Sequence, residues 1–378
     1  MKKLLFSILI LLGIVVLGMY FTDTLYFAKA VKCTWLRGEK TVTIDDFKFF
    51  HHRTIEAGTP QVWEKAPSYN KKELPDRLKE LHEELETVAF LVVKNGKLVH
   101  ESYYLGHDKD AKSHLMSVTK SYTSTLLQFA IQDGYIKSLD ERVGAFLPDM
   151  KNESAKNIKL KDLSSLTSGI DWYESMESPF SPNVKLYYDD GFKEQVKEVN
   201  VVADSIGRFH YKECDHGLLG VVIVKATGKS LSEYASEKIW KPLGCEKDAI
   251  WTLDSKDGME KCFAGLCSNA RDVAKMGQLF LNKGRWNGVQ LLNSAFIEMS
   301  VHPRYEEYPY YGYGWWIGQT DSGLDFHSMR GLLGQYITVI PSEKMVMVRL
   351  GKHRYDLDPV KHTPYDQYEM LELVSEAL

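Results

Sequence analysis

Ser117 and Lys120, three residues apart in "SHLMSVTKSYTSTLLQFAIQDGY" (residues 113–135), are a pair whose types and spacing could do chemistry. A hydroxyl and an amine on one face of a helix can serve as a nucleophile and its proton partner. In the first helical turn Ser117 would feel the positive end of the helix dipole, which favours a developing negative charge. The residues from Leu126 to Ile131 are largely apolar, which predicts a central, buried helix. The obstacle is activation. A free lysine of pKa near 10.4 is neutral in only about one molecule in 2500 at pH 7, and making it a base means lowering that value by about three units, or about 4 kcal/mol. Burial and a neighbouring cation can do this. Alternatively, a tyrosine held near the same ammonium shares the proton. The bland alternative is a serine N-cap followed by a solvent-facing lysine.

Ser-x-x-Lys alone is not a signature, because Ser68 and Lys71 in "SYNK" repeat it in a polar stretch with no apolar run behind it. Other tempting patterns fail. "KATGKS" has Ile223 where a phosphate loop needs glycine, and His51 and His52 lack further residues at metal-ligand spacing.

The elements that must position the pair are legible in outline. "LPDRLKELHEELET" has helical spacing, and "VAFLVVKNGKLVHESYY" is two β-rich runs around Asn95-Gly96, a strong hairpin signal. From about residue 137 to 300 the pattern is mostly helices and loops. Strand signals return in "YGYGWWIGQ" and "QYITVIPSEKMVMVRLG". Strands bracketing a helical middle predict an α+β fold. One antiparallel sheet is built from both chain ends, flanked by helices, with a mostly helical subdomain inserted.

The segments "SVTKSYTSTLL", "IKLKDLSSLTSGIDW", "GRFHYKECDHGLLGVVIVKATGKSLSEYASEKIWKPLG" and "GLCSNARDVAKMGQLFLNKGRWNGVQLL" occur in that order, followed by "YGYGWWI" and "RGLLGQYITVIP". Together, over roughly residues 85 to 351, they resemble the class C β-lactamase and penicillin-binding-protein-like serine hydrolases, which include esterases, peptidases and oligoamide hydrolases. The resemblance implies the α/β sandwich of that group and an acyl-enzyme mechanism with no cofactor. Ser117 would be the nucleophile, Lys120 its proton partner and Tyr211 the general base and later general acid. The Ser117 N–H would form half of an oxyanion hole, with the other half from the strand near 328 to 334.

Two departures stand out. Glu213 occupies the place of the Asn in the family's Tyr-x-Asn, and Lys-Thr-Gly is replaced by part of "FHSMRGLLGQ". There His327, Arg330 and Gly331 are, with Glu213, the expected substrate contacts, Arg330 as a bidentate partner for a carboxylate. Which of them faces the cleft depends on strand register. Of Trp315 and Trp316, neighbours on a strand facing opposite ways, only one can line the cleft, and we assign that place to Trp315. "SLTSG" (Ser165–Gly169) reads as a shared structural turn. The departures argue against a specialised β-lactamase and leave esterase, amidase or peptidase chemistry open. The alternative is a non-catalytic or slowly acylating penicillin- or peptidoglycan-binding sensor of the same fold.

The 378-residue chain has 44% hydrophobic and 26% charged residues and a formal net charge of -4, an ordinary globular composition with no bias toward nucleic acid. Two lysines precede the uncharged run Leu4 to Tyr20. This predicts an uncleaved membrane anchor over residues 1–22 with everything after it on the periplasmic or extracytoplasmic face. A cleaved signal peptide is the alternative. Residues 23–72 read as a stalk and an entry segment packed on the main body, 73–352 as the hydrolase domain with its helical insertion at about 137–300, and 353–378 as a C-terminal tail or helix. Five cysteines are too few for a disulfide scaffold. Cys262 and Cys267 are either a local bridge or buried thiols. The expected partners are a small-molecule or peptide substrate and, through the N-terminal segment, a membrane. No motif specifies an oligomeric state.

Overall fold

The computed structural model describes residues 2–175 and 178–378. Its frame is a six-stranded antiparallel sheet assembled from both chain ends, in the order β3-β4-β5-β6-β1-β2. The strands are β1 (Thr87–Lys94), β2 (Lys97–Tyr103), β3 (Trp316–Gln319), β4 (Asp325–Gly331), β5 (Gln335–Ile340) and β6 (Met345–Gly351). β1 and β2 meet at Asn95 and Gly96 with φ of 53° and 75°, the left-handed pair that a two-residue hairpin demands. β1, β5 and β6 are buried almost throughout rather than alternating, because helices cover both faces of the sheet. One face packs against the large core that includes Leu127, Val273, Met276, Ile337 and Val348. The other carries Phe90, Val92, Met345 and Met347 against α2 (Asp76–Glu84) and α6 (Tyr365–Ala377).

The fold is α+β, and the structure adds a second sheet that the periodicity did not announce, shared between the insertion and the segments before it. Four short strands, His52–Ile55, Ala249–Thr252, Leu266–Ser268 and Ser113–His114, form a sheet in that spatial order. Strands of two to four residues are too short to show alternation. The 23–72 segment thereby contributes a strand, and Tyr26, Cys33, Ile44, Phe50 and Trp63 are all buried, so the part read as a stalk packs on the body as the entry segment does. α1 (Lys2–Phe21) is apolar and long enough to cross a membrane, and its apolar window is not buried in the fold. The five cysteines are free and buried, Cys262 with its thiol 3.2 Å from the His216 carbonyl.

Candidate active site

α3 (Val118–Gln132) runs through the core with 13 residues buried, although its first half reads "VTKSYTST". Short hydroxyls can be buried where each finds an acceptor. Thr123 donates to the Cys262 carbonyl at 2.6 Å, Ser121 to the Gly314 carbonyl at 2.5 Å, and Thr125 back to the Ser121 carbonyl at 2.8 Å. The residues just before and after 266 cradle the helix start. Leu115 N–H donates to the Leu266 carbonyl at 2.9 Å, and Leu266 N–H donates to Thr119 Oγ1 at 3.1 Å.

Ser117 sits at the N-cap position but its side chain makes no cap. Lys120 Nζ donates to Ser117 Oγ at 2.9 Å and to the Phe263 carbonyl at 3.0 Å. Lys120 is only 1% exposed, which rules out a solvent-facing lysine. Met116, immediately before Ser117, has φ of 52°, an uncommon conformation for a residue with a side chain that sets the turn into the helix. Gly331, at the end of β4, closes against this turn. A Cβ there would lie 2.3 Å from the Leu115 carbonyl, so only glycine lets the strand end approach the segment leading to Ser117.

Tyr211 stands in the loop before α4 (Glu213–Thr227). His210 N–H donates to the Leu166 carbonyl at 3.0 Å, and the Ser168–Ile170 strand pairs with Val201–Ile206. "SLTSG" is thus the support of the Tyr211 loop. The Tyr211 ring lies 4.8 Å from Lys120 Nζ and stacks on Trp316 at 5.6 Å and 26°. On Trp316 in turn rests the Arg330 guanidinium, 3.9 Å from the ring. Two cations and two aromatic rings therefore form one file, Lys120–Tyr211–Trp316–Arg330.

Here the Trp315 expectation is corrected. Trp316 pairs with Ser328, so Trp316 shares the face of Arg330, while Ile317 pairs with His327. Trp315 is fully buried against Phe280 at 4.1 Å and His327 at 5.3 Å. The side chains of Trp315 and His327 thus lie on the face opposite Trp316 and Arg330, in the core shared with Phe280. Register decided the matter, as it must when side chains alternate.

The electrostatics also differ from a simple neutral-lysine base. Burial works against the Lys120 charge, but Tyr211, Glu213 and Glu174 together hold the ammonium above its ordinary range. Glu174 accepts a hydrogen bond from the Glu213 N–H. Burial, and then the Glu174 charge, push the Glu213 carboxyl up to about 8, and burial raises Glu174 as well. Glu174 was not anticipated, since nothing in its local sequence distinguishes it and only the fold brings it to Glu213. Behind them, buried Lys212 lies 3.8 Å from Asp215, which accepts from Ser168 Oγ at 2.7 Å. Arg330 donates from Nη2 to the His362 carbonyl at 2.7 Å. Its Nη1 is buried without a hydrogen-bond partner among the described residues, and burial lowers the guanidinium to about 9.

An α+β frame with a hydroxyl, a buried ammonium and a phenol converging at a helix start defines the class. The chain belongs to the beta-lactamase family, whose model matches residues 74–368. It is 25% identical over 305 residues to the 6-aminohexanoate-dimer hydrolase of Paenarthrobacter ureafaciens, covering 74% of this chain and 76% of that protein. It is 24% identical to the N-acetylmuramyl-L-alanine amidase of Bacillus subtilis strain 168, covering 72% and 78% of the two chains. The solved class C beta lactamase of Rhodobacter sphaeroides superposes with a TM-score of 0.56 at 18% identity over 79% of this chain and 97% of that one. That likeness establishes the fold. These curated relatives are hydrolases by name.

Proposed function

We propose that the protein is a serine hydrolase that opens an ester or amide carbonyl through an acyl-enzyme on Ser117. The observation that carries this reading is the Lys120 Nζ to Ser117 Oγ hydrogen bond of 2.9 Å, made by a lysine buried to 1% exposure. An ammonium donating to Oγ leaves the serine proton free to go elsewhere, and Tyr211 is the group beside that ammonium. As a phenolate beside the Lys120 cation, Tyr211 takes the serine proton while Oγ attacks, becomes a neutral phenol, and later returns that proton to the leaving group. The Ser117 N–H and the backbone at the end of β4 would hold the tetrahedral oxyanion. Water then releases the acyl group.

Arg330 is the proposed anchor for a substrate carboxylate. It is a buried guanidinium with an unused Nη1, and a charge-assisted bond would satisfy it. Both hydrolase relatives carry amide-cleaving names, which favours a small amide or peptide with a free acid end. α1 would fix the enzyme to a membrane with the active site outside the cytoplasm.

The test is turnover of matched short amides and esters carrying either a free carboxylate or its methyl ester. Wild type should cleave the acids with the lower KM, and Arg330→Ala should erase that difference while leaving the methyl esters unaffected. Equal KM for acids and methyl esters in the wild type would remove Arg330 from the reading. No turnover of any amide or ester would remove the hydrolase.

A further inference from the structure

A cleft lies at the other end of the sheet, away from Ser117. It holds about 820 Å³ between the approach segment at residues 61–64, the β1–β2 turn, the end of α5 (Ala270–Leu281) and the β5–β6 turn. β5 begins at Gln335, beside Gly331, and ends next to Pro341 in the cavity wall. Six residues of strand at about 3.3 Å each put roughly 20 Å between the two places, so the cavity is no extension of the active site.

Its lining has a consistent chemistry. Five carboxamide side chains, Gln61, Asn95, Gln278, Asn282 and Asn287, surround it with paired donors and acceptors. Trp63 and Trp286 meet edge to face at 6.2 Å in its wall, and Gln61 Oε1 accepts from Trp286 Nε1 at 3.0 Å and from Asn287 Nδ2 at 2.6 Å. Gln278 is 4% exposed and donates to Asn282 at 2.9 Å, but its Oε1 is buried with no partner among the described residues. A carbonyl oxygen withdrawn from water without a donor is costly, and this one belongs to a residue that lines the cavity. A ligand hydroxyl or amide N–H would satisfy it. At the rim, Lys283 and Lys344 are exposed and, among the described residues, not ion-paired, whereas Glu64 is neutralised by Lys97.

We propose that this cleft is a second binding site, for an oligosaccharide bearing a carboxylate. Sugar hydroxyls and acetamido groups match the carboxamide ring, the apolar face of a pyranose matches Trp286, and the two rim lysines meet the acid group. Val62, Leu281 and Pro341 add apolar wall beside the two tryptophans, so a peptide is the competing occupant, and tetraglutamate is its probe. Bound there, a glycan would hold the enzyme on a polymer while Ser117 works on another part of it. The site stands whether or not Ser117 is catalytic.

The experiment uses the full chain in detergent micelles, titrated by calorimetry and tryptophan fluorescence. The probes are the disaccharide N-acetylglucosaminyl-N-acetylmuramic acid, neutral chitotetraose and tetraglutamate. The acidic sugar should bind most tightly. Trp286→Ala and Gln278→Leu should each weaken it about tenfold, and the Lys283→Ala/Lys344→Ala pair should reduce it to the level of chitotetraose. Ser117→Ala should bind it as wild type does. Trp286→Phe, which keeps an aromatic face, should retain most of the affinity and separates a lost contact from a misfolded variant. Absence of sugar binding, tighter binding of tetraglutamate, or binding indifferent to Trp286 and Gln278 would each overturn the proposal.

Discussion

At the scale of single residues, the catalytic reading rests on Lys120 staying charged. A lysine lowered into the neutral range was one of two routes open from the sequence. The neighbouring Tyr211, Glu213 and Glu174 instead keep its proton on, and the proposed mechanism therefore assigns the base role to Tyr211. Tyr211→Phe should then lower kcat by about 10²–10⁴-fold with little change in fold, measured by steady-state turnover beside a thermal melt. The Glu213 carboxyl, pushed up to about 8, supplies a pH signature. Below that value it is neutral. Above it, a new negative charge lies near the oxyanion that forms during attack, so the rate should fall as pH rises through it. Glu213→Gln cannot ionise and should lack that falling limb in a kcat/KM profile, while matching wild type near pH 6. The two tryptophans divide in the same way. Trp315→Ala removes a fully buried ring and should cost about 3–5 kcal/mol of stability, whereas Trp316→Ala should leave the melting temperature nearly unchanged and raise KM by uncoupling Tyr211 from Arg330.

At the scale of elements, what positions Ser117 is the meeting of the α3 start, the 262–268 stretch and the end of β4. Gly331 is the tightest point, since any side chain would strike the Leu115 carbonyl. Gly331→Ala should preserve the far-ultraviolet circular dichroism of the sheet and helices. It should slow acylation of Ser117 by at least about tenfold, because a small misplacement of reacting groups costs rate steeply. A wild-type acylation rate in that variant would mean that the approach of β4 to Leu115 is not needed. The 87–103 hairpin was legible because Asn95-Gly96 encodes its own turn, and α3 because of its apolar second half. The short strands at 113–114 and 266–268 were not, since a two- or three-residue strand has no period and exists only through its partner. Trp316 escaped for a related reason: adjacent residues on a strand are equivalent until pairing with Ser328 fixes which face each takes.

At the scale of the molecule, the sheet built from both chain ends, with helices on each face, could be read from strand signals that bracket a helical middle. The site could be read only as an ordered series of segments, because Ser117, Tyr211 and Arg330 are widely separated along the chain and converge only through folding. The 23–72 segment was the least legible part, being polar in composition yet anchored by isolated apolar residues. Lys29 donates to Asp190 at 2.7 Å and to the Asp254 carbonyl at 2.8 Å, and Tyr26 and Cys33 are buried. A protein truncated to begin at residue 24 should therefore be soluble and melt like the full chain. One beginning at residue 34 should melt lower by on the order of 5 °C, given a few kcal/mol of lost burial. Differential scanning calorimetry of the two separates a packed segment from a loose stalk.

The central claim, an activated serine at position 117, is tested most directly by intact-mass spectrometry after exposure to a fluorophosphonate at pH 7, with wild type and Ser117→Ala side by side. The account predicts one phosphonyl adduct on the wild type and none on Ser117→Ala. An unmodified wild type, or equal labelling of both proteins, would contradict it.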